Sequence, residues 1–403
     1  MDAIVVKRKN LLIFFVFCLL LGGIFFWRGT GAYAAGAETA VSKATEKEIR
    51  QAVTDAYQSG RTSVDMKPFH VYNKNRNQID ALMEEIINAT PGLFYTGRQY
   101  SVVSVSTTGQ IVRLDLTYLP EYMKDGVVDT RKIEKQRRQI DTAAKKALSS
   151  INSKMTDVEK ALILHDYLVK WIVYDDSESR NSRLSEVGAL IENKANCQGY
   201  SVTYKMLLEK AGISSKCYSS KKMNHMWNLV KIGSKWYHVD VTWDDPLNER
   251  NSKEYFGVVF HKYFLLSDKG MKKNGHNGGN LGLAKDTKYD NAYWNKVENE
   301  FCYQSGKFVF ADKTGIYTRK SLTAGKAECI KKLAIQGMVQ KSGGKYYVLA
   351  KNQIYLFRLN NKKLTSIYKA PSGCTLLELK YSKKTLHFRY RKNGRNYTKT
   401  VKG

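Results

Sequence analysis

A cysteine at the start of a predicted helix is the first residue in this chain whose type and position suggest chemistry. Cys197 precedes the segment 198–211 (QGYSVTYKMLLEKA), whose apolar spacing and following Gly212 predict a helix. Helix N-termini stabilise thiolates and can lower a thiol pKa by several units from about 8.5. Gly199 leaves the first turn without a side chain, and we expect this to let a substrate carbonyl approach. A nucleophilic thiol also needs a general base and a group that orients the base.

A predicted hairpin supplies both of these groups. The strands are HMWNLVKI (225–232) and KWYHVDVTW (235–243), joined by a Gly-Ser dipeptide that predicts a tight turn. With the turn centred there, Trp227 lies opposite Asp240, and His225 is the diagonal neighbour of Asp240 on the same face. Diagonal partners are roughly 7–8 Å apart at the backbone, within reach of long side chains. A carboxylate in that position holds an imidazole in the tautomer that a general base requires.

Strand alternation leaves one rival for the base open. The side chain of His238 shares the face of Asp240, and alternation alone does not separate it from His225. Other polar residues near this region have simpler roles. His165 and His261 lie in apolar segments that predict structural histidines. The remaining cysteines of the exported chain lack such neighbours and are predicted to be packing residues: Cys217, Cys302, Cys329 and Cys374.

Three motifs around these residues resemble the transglutaminase-like, papain-fold core. They are NCQGY around Cys197, NHMWN around His225 and WYHVDVTWDDP around Asp240. The resemblance runs from about residue 160 to residue 268 and includes HDYLVKWIVYDD upstream and YFLLSD downstream. It implies an α+β core in which Cys197 is the nucleophile and His225 the general base and acid. It also implies that Asp240 orients His225, which favours His225 over His238.

The resemblance further implies an oxyanion hole that joins the backbone N–H of the cysteine to a side chain upstream of it. Trp171 and Tyr174 are candidates by type, since each can donate one hydrogen bond. Trp171 also fits an apolar helix stripe that begins at Ala161. Tyr174 is therefore the oxyanion candidate. No cofactor and no metal are expected, because C-x-x-C pairs and His/Cys clusters are missing from the sequence.

The composition indicates a folded, multidomain and strongly basic chain. Its 403 residues include 66 Lys and Arg against 37 Asp and Glu, a formal charge of +29, and 43% are hydrophobic. This length predicts two or three domains, and the apolar content excludes a wholly disordered protein. The predicted architecture is a papain-like transglutaminase core between an N-terminal α/β unit and a C-terminal all-β domain. Its boundaries are a signal peptide at 1–34, an α/β unit at 35–128, the core at 129–273, a linker at 274–300 and a basic β-rich domain at 301–403.

The N-terminus has the layout of a secretory signal peptide. A basic run, KRK at 7–9, precedes seventeen mostly apolar residues at 11–27 and an A-x-A pattern at 32–34. We expect cleavage after Ala34, with an uncleaved anchor as the alternative because the apolar run is long. Either outcome predicts a secreted protein or one associated with the cell surface or cell wall. The five remaining cysteines are odd in number and widely spaced, which does not fit a disulfide framework.

The last hundred residues differ from the rest in charge and pattern. Residues 301–403 contain 23 Lys and Arg against three acidic residues. Three hairpin-like stretches begin near Lys307, Lys345 and Lys384, which predicts an internal β-repeat. The charge favours docking to an anionic cell-wall polymer or membrane surface, the alternative being a solvated lysine-rich surface. Export argues against nucleic acid as the partner.

These observations support two hypotheses of different classes. The first is an exported cysteine-dependent enzyme that acts on protein or peptide amide bonds through a thioester, either as a transglutaminase or as a protease or amidase. The second is a non-catalytic cell-wall or surface-binding protein that uses the same core as a scaffold. The intact Cys, His and Asp set favours the first. The substrate, the acceptor and the oligomeric state do not follow from the sequence.

Overall fold

The computed structural model describes residues 4–10, 40–246, 258–277, 282–382 and 384–402. The chain divides into two compact units, Met1–Arg138 and Gln139–Gly403. The apolar run and A-x-A pattern of the predicted signal peptide lie outside the described residues, so its cleavage stays a prediction. Among the described helices, none has both the length and the apolar character that crossing a bilayer requires.

The first unit is a small α/β structure. Its four-stranded sheet has the order β1-β3-β4-β2. Its two helices and its antiparallel strands fit the predicted α/β unit. On the first helix, Ile49, Val53 and Tyr57 are buried at helical spacing, which explains why this segment is a helix that packs on one face. The elements are α1 (Lys43–Gln58), α2 (Arg76–Ala89), β1 (Ile4–Asn10), β2 (Ser63–Asp65), β3 (Thr96–Val105), β4 (Ile111–Tyr118), β5 (Met123–Lys124) and β6 (Val127–Val128).

The next helix along the chain is α3 (Thr130–Leu148). The next helix begins with a capping box: the Thr156 hydroxyl accepts from Glu159 N, and the Glu159 carboxylate accepts from Thr156 N. The elements up to residue 273 are α4 (Asp157–Trp171), β7 (Val173–Tyr174), β8 (Lys194–Ala195), α5 (Cys197–Lys210), β9 (Ser215–Ser220), β10 (His225–Ile232), β11 (Lys235–Val239), α6 (Val241–Asp244), β12 (Phe264–Leu266) and α7 (Asp268–Lys273).

An antiparallel sheet of order β12-β11-β10-β9 carries the predicted hairpin. Its register is the predicted one, with Asn228 opposite Val239 and Ile232 opposite Lys235. The second strand is shorter than predicted, because it ends at Val239 rather than at residue 243. Asp240 then caps the short helix α6 by accepting a hydrogen bond from Trp243 N at 3.0 Å. A capping carboxylate satisfies an orphan helix N–H, so the chain turns into a helix where alternation alone predicts more strand.

The predicted β-repeat is confirmed. Three antiparallel meanders of four, four and three strands follow one another, with the orders β13-β14-β15-β16, β17-β18-β19-β20 and β21-β22-β23. Apolar residues from adjacent sheets form shared cores between them. The strands are β13 (Cys302–Gln304), β14 (Lys307–Asp312), β15 (Gly315–Arg319), β16 (Glu328–Lys332), β17 (Ile335–Ser342), β18 (Lys345–Ala350), β19 (Gln353–Arg358), β20 (Lys363–Lys369), β21 (Cys374–Ser382), β22 (Thr385–Lys392) and β23 (Arg395–Lys402).

The C-terminal sheets and the α/β core lie in the same compact unit. Glu159 of α4 accepts a hydrogen bond from Leu322 N at 2.9 Å, and Asp166 accepts one from Phe301 N at 2.8 Å. Within the segment predicted as a linker, Trp294 is buried and Asp290 accepts from the backbone and hydroxyl of Ser267. The Gly/Asn-rich composition at 274–282 indicated a loop, but hydrogen bonds to the core hold the residues that follow it.

Candidate active site

The cysteine begins a well-capped helix. Cys197 is the first residue of α5, and the side chain of Asn196 accepts hydrogen bonds from Gln198 N at 3.1 Å and Gly199 N at 3.3 Å. Helix starts leave backbone N–H groups without intrahelical partners. Since Asn196 takes two of them, the N–H of Cys197 is the one placed to bind a negatively charged oxygen beside the thiol. Among the described residues the cysteines are thiols, with no disulfide between them.

Gly199 is needed for packing rather than for access to the thiol. A Cβ at this position would lie 2.3 Å from the carbonyl oxygen of Arg183 and 2.8 Å from Cβ of Ala195. The expectation that Gly199 leaves the first turn open for a substrate carbonyl is therefore wrong. The bare side of the helix is filled by neighbouring chain, which lets α5 approach that chain closely.

Two hydrogen bonds fix the helix to the strand that carries the histidine. The Ser201 hydroxyl lies 2.7 Å from the carbonyl oxygen of Cys197 and 3.0 Å from that of Met226. The buried side-chain amide of Asn228 donates to the carbonyl of Ser201 at 2.9 Å. These contacts set the register between α5 and β10, and so between the first residues of the two elements, Cys197 and His225.

The imidazole of His225 lies between the thiol and a carboxylate. Its Nε2 is 2.6 Å from Oδ2 of Asp240, and a side-chain hydrogen bond joins the ring to Cys197. Since Nε2 faces Asp240, Nδ1 is the ring nitrogen left for the thiol. Burial by itself lowers the pKa of His225, but Asp240 and then Cys197 outweigh it and raise the pKa to about 10. The ring stacks between Trp227 and Trp243, at centroid distances of 5.6 and 5.3 Å.

Asp240 is fully buried and accepts three hydrogen bonds. Oδ1 accepts from Trp243 N, and Oδ2 accepts from both His225 and Nε2 of His276, the latter at 2.7 Å. Burial alone would raise the pKa of this carboxyl, but the two imidazoles, His225 foremost, hold it well below its usual range. His276 was not among the residues predicted from the sequence. It lies in the aperiodic Gly/Asn-rich stretch, where no local pattern predicts which groups a side chain will contact.

The rival base is directed elsewhere. Nδ1 of His238 accepts from the indole N–H of Trp227 at 2.9 Å, and its Nε2 lies 2.9 Å from Oδ1 of Asp268. Burial, only partly offset by Asp268, lowers the pKa of His238. The register explains the difference, since His238 lies within β11 opposite Leu229, whereas Asp240 lies past the strand end. The geometry thus favours His225 as the partner of Asp240.

The oxyanion candidates are separated by their surroundings. Trp171 donates its indole N–H to the carbonyl of Leu190 at 3.3 Å and stacks on Tyr167. That N–H is therefore occupied by the protein itself. Tyr174 lies in β7 and pairs in parallel with Ala195 of β8, two residues before Cys197. This pairing brings the backbone of Tyr174 to the approach to α5, and its role in an oxyanion hole stays a prediction.

A second buried cluster lies elsewhere in the same unit. His165 bridges Asp166 and Asp244, at 2.9 and 3.2 Å, and His261 bridges Asp166 and the carbonyl of Val297, at 2.9 and 2.8 Å. Burial alone would lower the pKa of His165 and raise that of Asp166. Contacts with Asp166 and Asp244 nevertheless raise the pKa of His165 to about 9. Contacts with His261 and His165 lower the pKa of Asp166 to about 2. The prediction that both histidines are structural agrees with this arrangement.

The aspartates before Pro246 are also part of the core. Asp244 and Asp245 directly precede Pro246, and such a composition is typical of a turn or loop edge. Both are buried, and Asp245 accepts from the Tyr200 hydroxyl at 2.5 Å while Asp244 accepts from Tyr263 N. Turn composition alone could not reveal these partners, since all of them are distant in sequence.

The two histidine clusters also have the residue types of a metal site. In His165, Asp166 and His261, and again in His225, Asp240 and His276, one ligand atom from each residue lies within 4.8 Å of the others. In both groups the ring nitrogens that face the shared carboxylate are hydrogen-bonded to it. Hydrogen bonding therefore accounts for the approach of these groups, and neither arrangement requires an ion.

Comparison with known proteins agrees with this geometry. The model of the transglutaminase-like superfamily matches residues 145–241, which include all three of Cys197, His225 and Asp240. Kyphoscoliosis peptidase of Mus musculus is 20% identical over 228 residues, covering 52% of this chain and 32% of that protein. The Homo sapiens protein of the same name is 24% identical over 127 residues, covering 27% of this chain and 19% of its own length. The chain thus spans a third or less of these curated relatives.

A solved structure described as "Crystal structure of a TGase" covers 43% of this chain and 48% of its own, at 14% identity and a TM-score of 0.24. So low a score supports no argument by itself. The family match rests instead on the sequence of residues 145–241, and the fold around it is α+β with a sheet-rich C-terminal region. Residues 145–241 of this chain are therefore similar in sequence to the transglutaminase-like superfamily.

Proposed function

We propose that the protein is an exported cysteine-dependent acyl-transfer enzyme that acts on protein or peptide amide bonds. Cys197 is its nucleophile, His225 its general base and acid, and Asp240 the residue that orients His225. One observation carries the proposal: a single imidazole contacts both a thiol at a helix start and a buried carboxylate. The family match over the same residues supports it.

In the proposed reaction, His225 takes the proton of Cys197, and the thiolate attacks the carbonyl carbon of the amide. The backbone N–H of Cys197 binds the oxyanion that forms, with Tyr174 as the candidate second donor. His225 then protonates the leaving amine as the C–N bond breaks, which leaves a thioester on Cys197. Asp240 stays ionised throughout and stabilises the imidazolium.

The acceptor that resolves the thioester decides the product. Water gives hydrolysis and a free acid, whereas a lysine amine gives a new amide and a protein cross-link. In both cases His225 removes a proton from the acceptor as it attacks. The matched relatives are named as peptidases, so hydrolysis is tested beside transfer.

The first experiment asks which thiol reacts. Purified mature protein is treated with iodoacetamide at neutral pH, and labelled cysteines are assigned by peptide mass mapping. Cys197 should be alkylated fastest, and Cys197→Ala should abolish the fast phase and all turnover, whereas the matched variant Cys217→Ala should change neither. Fast labelling that persists in Cys197→Ala would contradict the proposal.

The second experiment asks what the thioester does. The protein is incubated with a glutamine-containing protein and a labelled primary amine, and product masses are measured. Amine incorporation indicates transfer, and deamidation or chain scission indicates hydrolysis. If neither product forms over a range of substrates and pH while Cys197 is also unreactive, the scaffold hypothesis takes the place of this proposal.

A separate proposal concerns the basic sheets. We propose that residues 301–403 dock the enzyme to an anionic cell-wall polymer. The last hairpin supports this, since Lys392, Arg395 and Lys399 are all exposed. Electrostatic docking is screened by salt, with a Debye length of about 10 Å at 0.1 M. Pull-down with purified teichoic-acid-type polyphosphate should fall steeply between low and high salt, and binding unchanged by salt would contradict it.

A further inference from the structure

A second imidazole is fixed on the carboxylate that holds the proposed base. Nε2 of His276 lies 2.7 Å from Oδ2 of Asp240, the same oxygen that contacts His225 at 2.6 Å. Oδ1 of Asp240 is taken by Trp243 N at 3.0 Å. His276 and Asp240 are both fully buried. A carboxylate with three donors and no solvent has a defined direction, which a carboxylate with fewer partners lacks.

The protonation of His276 follows from its two nitrogens. Nε2 faces a carboxylate oxygen, so it carries a proton and donates. Nδ1 is buried, and within the described part of the chain it meets no hydrogen-bond partner. A proton on Nδ1 would be a buried donor without an acceptor, which is unfavourable. The geometry therefore places a proton on Nε2 of His276, where it is donated to Asp240, whereas the other nitrogen of His225 contacts the thiol.

The ring of His276 is held in place by aromatic neighbours. Its centroid lies 4.1 Å from that of Trp243 and 5.0 Å from those of Trp227 and Tyr263. The preceding residue, Gly275, has φ +100°, a backbone conformation that residues other than glycine rarely adopt. This turn after α7 directs the histidine inward. Packing on three sides prevents the imidazole from rotating away from Asp240.

We propose that His276 is a positioning residue of the site, a fixed Nε2–H donor that keeps Asp240 ionised and aimed at His225. The inference rests on the proposed function, because it describes how the orienting carboxylate is itself oriented. His276 does not touch the thiol side of His225, so it acts through Asp240 alone. It is distinct from the residues assigned above to nucleophile, base and orienting group.

Other titratable groups also face this carboxylate. Besides His225 and His276, Asp240 interacts through charge with Tyr263, on the segment before β12, and with His238 of β11. Cys197 of α5 reaches it through His225. Tyr263 and His238 make hydrogen bonds to other groups, to the Asn274 carbonyl and to Asp268. A change specific to His276 must therefore be read against a variant of one of these neighbours.

The test measures the pH dependence of Cys197 alkylation by iodoacetamide in three variants. His276→Phe keeps an aromatic ring but removes the donor. Asp240 should then be protonated more easily, and the imidazolium of His225 should lose support, so the acid limb should move up by about one pH unit and the neutral rate should fall about tenfold. His276→Gln retains an N–H near Oδ2 and should restore most of the profile. His238→Gln, the matched control, should leave the acid limb in place.

Two outcomes would overturn the inference. One is a folded His276→Phe protein, verified by its thermal transition, with the pH profile of the unaltered chain. The other comes from the chain without substitution at 276, where ¹⁵N-histidine NMR should show a proton on Nε2 of His276, hydrogen-bonded to Asp240. A ring whose Nε2 carries no proton contradicts the inference even if His276→Phe does not fold. Repeating the NMR in Cys197→Ala separates it from the proposed function, which fails only if Cys197 is not the reactive thiol.

Discussion

Two clusters in the unit Gln139–Gly403 use the same arrangement for different ends. In the site cluster, His225 and His276 converge on Oδ2 of Asp240. In the sealed cluster, His165 and His261 converge on Oδ1 of Asp166, both at 2.9 Å. All six of these residues are buried or nearly so. The pairing of two imidazoles with one carboxylate oxygen therefore does not by itself indicate a reactive site.

The difference lies at the outer nitrogens of the rings. In the sealed cluster these outer nitrogens are hydrogen-bonded to Asp244 and to the carbonyl of Val297, neither of which is a nucleophilic thiol. In the site cluster one outer nitrogen meets the thiol of Cys197. Imidazole becomes a catalyst where one nitrogen is held and the other faces a group that exchanges a proton. The same buried motif thus stabilises the fold in one place and, in the proposed function, activates a nucleophile in the other.

The largest effect should come from removing the negative charge of Asp240, the carboxylate of the site cluster. Asp240→Asn should lower the alkylation and turnover rates by a factor on the order of 10³–10⁴, because the amide no longer stabilises the imidazolium or fixes its tautomer. Rates are measured by single-turnover labelling and by product mass. Asp268→Asn, which alters the carboxylate beside His238, serves as the control and should keep rates within a few-fold. A rate loss of less than tenfold in Asp240→Asn would mean that the carboxylate does not orient the base.

The corresponding change in the sealed cluster should act on stability. Asp166→Asn leaves two buried imidazoles without their shared carboxylate, and breaking such a buried pair costs about 3–5 kcal/mol of unfolding free energy. Urea unfolding measures this loss, and the folded fraction should keep the alkylation rate of Cys197. Asp141→Asn removes the exposed partner of Lys210 and should shift the free energy by less than about 1 kcal/mol. Equal losses of unfolding free energy in Asp166→Asn and Asp141→Asn would show that the sealed cluster stabilises the fold no more than an exposed ion pair does.

The sealed cluster should also give stability a pH dependence. The pKa of His165 is about 9 in the folded protein against 6.5 in an unfolded chain, so its contribution is complete below pH 6.5 and is lost as the pH rises through 9. That of Asp166, with its pKa lowered to about 2, is present above pH 4 and lost below it. Between pH 6.5 and 9, His165 should contribute a fall of up to about 3 kcal/mol in the unfolding free energy, in addition to the fall that His225 contributes through its own raised pKa. His165→Gln should reduce the slope by the His165 share, and an unchanged slope would assign it to other groups.

The smallest expected effect concerns Trp243, the aromatic neighbour of His225 in the site cluster. Trp243, 37% exposed, covers one face of His225. Loss of a cation–π contact of this kind costs about 0.5–1 kcal/mol, so Trp243→Leu should slow Cys197 alkylation roughly two- to fivefold. Trp236→Leu, on the same hairpin and against Lys216, should not change the rate. A larger loss, or a loss in both variants, would indicate disruption of the hairpin instead.

Local patterns predicted the elements well where one physical signal governed them. Period-two alternation and the Gly-Ser turn predicted the hairpin and its register, and from these the approach of His225 to Asp240. A capping box of Thr156 and Glu159 marks the start of α4. The end of β11 was missed because the capping preference of Asp240 competes with alternation, and capping prevails at that position. The bare turn at Gly199 was misread because its reason is a close approach by residues elsewhere in the chain.

The amino-acid sequence by itself determined the α+β class, the repeated C-terminal meanders and the cysteine, histidine and aspartate that meet at one point. These follow from periodicity, turn chemistry and motif, all of which act over a few neighbouring residues. Only the tertiary structure decided that His276 completes the carboxylate's partners and that His238 turns away. It also decided that Asp244 and Asp245 lie in the core and that residues 282–300 pack on it. Each of these depends on hydrogen bonds between groups far apart in the chain, and local sequence carries no record of which distant group will arrive.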